Sequence, residues 1–263
     1  MEQLQTDTSP LALYRQGTVG EPRATLVLGH ALGSDRTMWD EVLPLLPGDI
    51  EVYVWEQPGH GNSRLLKDAS GGAVATARAL HDALDQAGVE GFYIAGLSLG
   101  GMVSLAYAEE FPDQLKGLVM MSSGAVLLPP EAWSERADLV RTEGLEPLVD
   151  GTMERWFSPV FAEGAGAAAV RQTRETFLAT DPEGYAQCCD IIAKTDLRDR
   201  AGEVAVPVTL IVGEDDPGMT PQQAGELVLA MQDGSVEVVD GARHLTAVEC
   251  PGRIAGDLAR LCQ

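Results

Sequence analysis

The chain has 263 residues, 45% of them apolar and 22% charged, which excludes a disordered chain and suffices for one large α/β domain or two small ones. Forty acidic residues against 18 basic ones give a formal charge of −22. That excludes generic nucleic-acid binding, argues against anionic membrane surfaces, and means that an anionic small molecule approaches against the overall field.

No run approaches the roughly 18 apolar residues of a membrane span. Met1 to Pro10 lacks the basic-then-apolar order of a secretory signal. Of four cysteines, Cys188 and Cys189 are adjacent while Cys250 and Cys262 stand alone. This is neither a disulfide scaffold nor a metal-ligand spacing, so a reducing, cytoplasmic setting is expected.

Short apolar, β-branched runs alternate with longer helical patterns, the mark of a largely parallel sheet flanked by helices. In chain order, Thr25–Gly29 reads as a buried strand and Thr37–Leu46 as a short helix. Glu51–Trp55 is a second strand, and Gly72–Ala87 is a helix rich in alanine and leucine. Phe92–Ala95 is a third strand, followed by a helix from Leu99 to Phe111 that Pro112 stops. Leu118–Ser122, Val208–Gly213 and Val236–Val239 complete the strands, before a closing helix over Gly252–Leu261.

Between about residues 127 and 203 the strand signal disappears. The segment opens with Pro129-Pro130 and carries amphipathic helical stretches. Asp181-Pro182-Glu183 reads as an N-cap, a first-turn proline and an early acid. Gly164–Ala169 reads as a mobile connection. The expectation is one continuous core over 1–126 and 204–263, carrying a helical cap over 127–203.

The most informative segment is Phe92–Met102, FYIAGLSLGGM. It holds Gly96-x-Ser98-x-Gly100 directly after a strand and directly before a helix, the context of a nucleophile elbow. The glycines let strand and helix pass close together, and the helix N-terminus beneath the serine adds free N–H groups and a positive dipole end.

A serine hydroxyl needs a base, and four histidines are available. His81 lies in the alanine-rich helix and reads as a solvated surface residue. His30, in His30-Ala31-Leu32-Gly33, and His60, in Pro58-Gly59-His60-Gly61, sit in turns after strands and read as structural. His244 follows the final strand and satisfies the order serine, acid, histidine that an elbow of this kind uses.

The acid should orient the imidazole and stabilise its charged form. Gly213-Glu214-Asp215-Asp216 ends a strand with three carboxylates. The third residue after the glycine turns back toward the histidine, which favours Asp216, with Asp215 the alternative. Glu214 and Asp240 read as solvated loop charges. The backbone N–H groups of Leu99 and Leu32 are the candidate oxyanion donors, each such donor being worth about 3–4 kcal/mol of transition-state stabilisation. Trp133, Arg136 and Trp156 are candidates for lining a pocket. No phosphate-cradling loop, HExxH helix or Cys/His metal cluster occurs in the sequence.

These features resemble the α/β-hydrolase family over essentially the whole chain: a mostly parallel central sheet flanked by helices, with a helical cap inserted after the sixth strand. Within it, Gly33-Ser34-Asp35-x-x-Met38-Trp39, Pro130-Glu131-Ala132-Trp133, Glu154-Arg155-Trp156-Phe157, Thr180–Cys189 and Ala193–Arg198 resemble the 3-oxoadipate enol-lactonases. The resemblance implies Ser98, Asp216 and His244 as the catalytic residues, no cofactor, and a small anionic lactone or ester as substrate. Its carboxylate would be received by a cap arginine such as Arg136 or Arg174. One departure stands out: Glu56 occupies the position of the family's aspartate ahead of Gly59-His60-Gly61-Asn62-Ser63. The same triad would also serve a carboxylesterase or a perhydrolase, and a non-catalytic ligand-binding protein is the alternative outside enzymes. A dehalogenase would need an aspartate at 98. Oligomeric state is left open.

Overall fold

The computed structural model describes residues 1–18, 20–127 and 129–262; residue 263, the last of the expected core segment, lies outside them. Among the described residues eight strands form one sheet, in the order β1-β2-β4-β3-β5-β6-β7-β8. They are β1 (Glu2–Leu4), β2 (Leu13–Gln16), β3 (Ala24–Gly29), β4 (Ile50–Trp55), β5 (Phe92–Leu97), β6 (Leu115–Met121), β7 (Val208–Gly213) and β8 (Gly234–Val239). β3 to β8 are parallel, while β1 and β2 add an antiparallel edge.

The parallel strands form where residues on both faces are apolar, as a sheet covered on both sides requires. All six residues of β4 are buried. The core helices are α1 (Ala73–Gln86), α2 (Leu99–Glu110), α8 (Pro221–Val228), α9 (Thr246–Glu249) and α10 (Pro251–Leu261). In α2 every residue from Leu99 to Glu109 is buried, so this helix runs through the interior rather than over it.

Between β6 and β7 lie α3 (Pro130–Glu143), α4 (Glu146–Trp156), α5 (Pro159–Glu163), α6 (Ala167–Ala179) and α7 (Pro182–Ala193). Proline opens α3, α5 and α7, where its missing N–H costs nothing. The Asp181 side chain accepts the Gly184 N–H at 2.8 Å and caps α7. α3 packs on α7, and Arg141 clasps both Glu183 and Asp190 across that contact. The insertion returns to its start: the Leu197 N–H donates to Ala125 O at 2.9 Å.

Four details differ from the sequence reading. β1 and β2 gave no strand signal, because β1 is largely exposed and Arg15 interrupts β2. The helix expected over Thr37–Leu46 is two 3-10 turns, Arg36–Trp39 and Leu43–Leu45, the first capped by Asp35. α8 went unread, although Thr220 and Gln223 close a capping box on it. Finally, Ala167–Ala169 of the supposed mobile connection already belong to α6. No helix among the described residues is long and apolar enough to cross a membrane.

Candidate active site

Ser98 sits between the last residue of β5 and the first of α2. Its backbone has φ +56°, a left-handed conformation that costs a non-glycine residue about 1–3 kcal/mol and persists only where its surroundings enforce it. The enforcement is visible. The Ser98 N–H donates to Met121 O at 2.8 Å, and its carbonyl accepts from Met102 N at 3.0 Å and from Ser123 Oγ at 2.7 Å. A Cβ at Gly96 would lie 2.2 Å from the Gly100 carbonyl, and one at Gly100 would lie 2.4 Å from Gly29 O, so neither position admits a side chain.

After β7 the chain turns sharply, with Asp216 N–H donating to Gly213 O at 3.2 Å and Asp215 N–H to Ala242 O at 3.0 Å. Glu214 and Asp215 are exposed and Asp216 is buried. Asp216 meets His244, from the loop after β8, with Nδ1 at 2.9 Å from Oδ2 and 3.1 Å from Oδ1. Burial pushes the Asp216 carboxyl up, but the His244 ring and the Gly218 N–H outweigh it, so the carboxyl sits below its ordinary range. Asp216 is therefore an ionised acceptor for Nδ1–H. Nε2 of the same ring has no hydrogen-bond partner among the described residues.

Ser98, Asp216 and His244 line one cavity of about 260 Å³, between the carboxyl ends of the strands and the inserted helices. Trp133, Arg136 and Trp156 line its other side, and Leu32 its floor. The Gly33 N–H is taken by His60 and the Ser34 N–H by Ala31 O, while Leu32 N–H has no partner among the described residues. Leu99 is the first residue of α2, so its N–H has no intrahelical carbonyl to bind. A wider groove of about 450 Å³ along the N-terminal residues lacks such a cluster; its Ser9 hydroxyl donates to Ala79 O.

Residues 26–257 match the family described as the alpha/beta hydrolase family. The chain belongs to that family. Over 231 residues it is 27% identical to 3-oxoadipate enol-lactonase 1 of Acinetobacter baylyi, covering 88% of this chain and 85% of that one. Among solved structures, the enol-lactonase from Burkholderia xenovorans LB400 superposes with a TM-score of 0.88 at 27% identity, covering 95% and 96% of the two chains. A thermophilic esterase from Thermogutta terrifontis with malate bound gives 0.88 at 25% identity, covering 99% and 98%.

In this alpha/beta hydrolase the other histidines are occupied. His30 donates from Nδ1 to Ala31 O at 2.8 Å and accepts the Gln57 N–H on Nε2 at 2.9 Å. His60 donates from Nδ1 to Pro58 O at 2.9 Å and accepts the Gly33 N–H on Nε2 at 3.0 Å. Burial pushes them down to about 3 and about 4, so both rings stay neutral. His81 is half-buried: it stacks on Phe111 with ring centroids 3.9 Å apart and pairs with the Tyr107 hydroxyl at 3.0 Å. Glu56, the departure from the family's aspartate, still holds the following turn, accepting the Asn62 N–H at 2.8 Å and the Tyr14 hydroxyl at 3.1 Å.

The arginines divide. Arg174 pairs with Asp150 and does not line the cavity, so it is no longer a candidate for receiving a carboxylate. Arg136 lines it, donating to the Tyr185 hydroxyl at 3.1 Å with its guanidinium 5.1 Å from the Trp133 ring centroid. Arg155 lines it too, and the sequence reading passed it over. It donates to Thr152 Oγ1 at 3.0 Å. Neither arginine has a carboxylate partner among the described residues. Burial of part of the side chain and then the Arg136 charge hold the Arg155 guanidinium below its ordinary pKa, and it stays a cation. In a chain with 40 acidic residues, two neighbouring cations thus face one cavity with no acid paired to either among the described residues. The missed signal was helical spacing: Thr152, Arg155 and Trp156 share one face of α4.

Proposed function

We propose that this hydrolase opens a small enol-lactone that carries a carboxylate, of the 3-oxoadipate enol-lactone kind, through a serine acyl-enzyme. The observation that carries the reading is the His244 ring. Its Nδ1 is held by an ionised Asp216 and its Nε2 has no partner among the described residues, in a cavity shared with Ser98 and with two arginines that meet no carboxylate among those residues. The similarity to enol-lactonases supports the substrate class.

In this reading Arg136, with Arg155 beside it, receives the carboxylate and so sets the lactone carbonyl against Ser98. His244 Nε2 takes the hydroxyl proton as Ser98 Oγ bonds to the carbonyl carbon. The Leu32 and Leu99 N–H groups stabilise the oxyanion. Collapse breaks the ring C–O bond, the enol oxygen leaves with the proton from His244, and the free enol becomes the ketone. A water activated by His244 then attacks the acyl ester, releasing the dicarboxylate and restoring Ser98. Asp216 remains ionised throughout and stabilises the imidazolium that forms twice in each cycle.

The test follows loss of the enol-lactone. Ser98→Ala is expected to lower kcat by about 10⁴-fold or more, and a variant as fast as the wild type overturns the nucleophile assignment. A second reading, an esterase for other small anionic acyl compounds, is favoured by the equal TM-score to the malate-bound esterase. A higher kcat/KM on simple carboxylate esters than on the enol-lactone would select it.

A further inference from the structure

The acid of the Asp216–His244 pair has acceptor capacity to spare. Oδ1 takes the Gly218 N–H at 2.8 Å and the Met219 N–H at 3.3 Å, whereas Oδ2 meets His244 Nδ1 and nothing else among the described residues. A carboxylate offers about four lone-pair sites, so the Oδ2 side of this one is under-used.

Ser122, the residue directly after β6, supplies the complementary defect. It is fully buried, lines the same cavity, and its Oγ has no hydrogen-bond partner among the described residues. Its backbone has φ +46°; apart from Ser98, no other described non-glycine residue has a positive φ. The conformation is pinned by its N–H, which donates to Ile211 O at 2.8 Å. A left-handed serine and an orphaned buried hydroxyl each carry a cost, and both fall on one residue at the cavity wall. Ser122 and Asp216 follow the ends of the paired strands β6 and β7 and line the same cavity, and a serine hydroxyl beside the carboxyl favours its ionised form. Its neighbour Ser123 already ties the end of β6 to the Ser98 carbonyl.

We propose that Ser122 is a positioning residue whose hydroxyl donates to the Oδ2 side of Asp216, fixing that carboxylate against His244 Nδ1. Consecutive serines at the end of β6 then serve two elements of the site, Ser123 the elbow and Ser122 the acid. The inference rests on reading Asp216 and His244 as an acid–base pair. A hydroxyl with its hydrogen toward Asp216 places positive potential at the His244 ring, so its removal strengthens the ring's hold on a second proton. The other charged or titratable groups around the pair are Arg136, Arg155 and Tyr185 on the cavity wall, Glu214 and Asp215 in the β7 turn, and Arg243 with Glu249 beside the histidine.

The test is a proton NMR titration of the His244 ring in the wild type, Ser122→Ala and Ser122→Gly. The signal is assigned by its loss in His244→Gln. Alanine removes the hydroxyl and keeps the strained backbone; glycine removes both and suits φ +46°, so it folds even where alanine does not. The proposal requires the His244 proton affinity to rise about three- to tenfold in each folded variant. A midpoint that stays or falls in Ser122→Gly overturns it and leaves Ser122 a packing residue. Because the readout is protonation and not turnover, failure of the lactonase reading shows separately, as inactivity of the wild type on lactones and esters.

Discussion

The turns that follow β3 and β4 carry His30 and His60, and the turn that follows β8 carries His244; the two regions treat the same ring in opposite ways. In the first, each ring is sealed in the interior with a backbone carbonyl on Nδ1 and a backbone N–H on Nε2, so both nitrogens are spent on holding loops together. In the second, a carboxylate takes Nδ1 and Nε2 has no partner among the described residues. A buried histidine with both nitrogens bonded to backbone has none left for proton transfer; one with a buried carboxylate on Nδ1 and Nε2 unused fits the proposed role of base. The distinction lies in the partners of the ring and not in its position after a strand.

The largest expected effect breaks the second region. His244→Gln or Asp216→Asn lowers kcat/KM by about 10⁴-fold, with thermal melting close to that of the wild type; a loss under tenfold would remove the pair from the chemistry. The next effect separates binding from chemistry. Arg136→Ala raises KM for a carboxylate-bearing lactone by about 10- to 100-fold, and the more exposed Arg155→Ala by about 3- to 30-fold. Neither changes KM for a neutral ester by more than about twofold. Equal losses on charged and neutral substrates would instead assign the two arginines to packing.

Smaller effects probe the first region. His60→Phe leaves the Gly33 N–H without its acceptor and costs about 1–3 kcal/mol, a fall in Tm of several degrees. Turnover per folded molecule stays near that of the wild type unless the shift of the loop reaches Leu32. His30 and His60 also shape acid stability. Their folded-state values, about 3 and about 4, lie below the ordinary 6.5. The stability they confer is therefore complete above pH 6.5 and is lost as pH falls through 4 toward 3.

Glu109 produces the opposite slope. Its side chain is fully buried and has no hydrogen-bond partner among the described residues, and burial pushes it to about 7 even though Arg200 lies 3.8 Å away. Its contribution is present below pH 4.5 and is lost as pH rises through 7. Glu109→Gln should raise stability at pH 8 by about 1–3 kcal/mol and leave it nearly unchanged at pH 4. Urea denaturation at the two values checks the sign, and parallel curves for wild type and variant would contradict it.

The parts of this molecule legible in the sequence are those whose cause is local. The parallel strands show because residues buried on both faces are apolar, as in Leu26–Leu28. The elbow shows because its glycine spacing is local, Gly96 answering to Gly100 four residues on, although Gly100 itself answers to Gly29 at the end of β3. Turn geometry favours Asp216 and leaves Asp215 as the alternative, and of the two Asp216 is the buried one. The strand β2 was not legible, since its pairing with β1 and β4 comes from the rest of the sheet and not from its own pattern. Arg155 was passed over because a helix face becomes a cavity wall only when the insertion folds over the strand ends. Ser122 carried no signal at all, since an ordinary serine acquires its positive φ from the neighbouring strands.

Covalent capture offers the most direct measurement. The wild-type protein, treated with a small fluorophosphonate and examined by intact and peptide mass spectrometry, should gain one adduct, on Ser98. The same treatment of His244→Gln should label at least about a hundredfold more slowly. An adduct on another residue, or labelling of Ser98 at an unchanged rate without His244, would contradict the account.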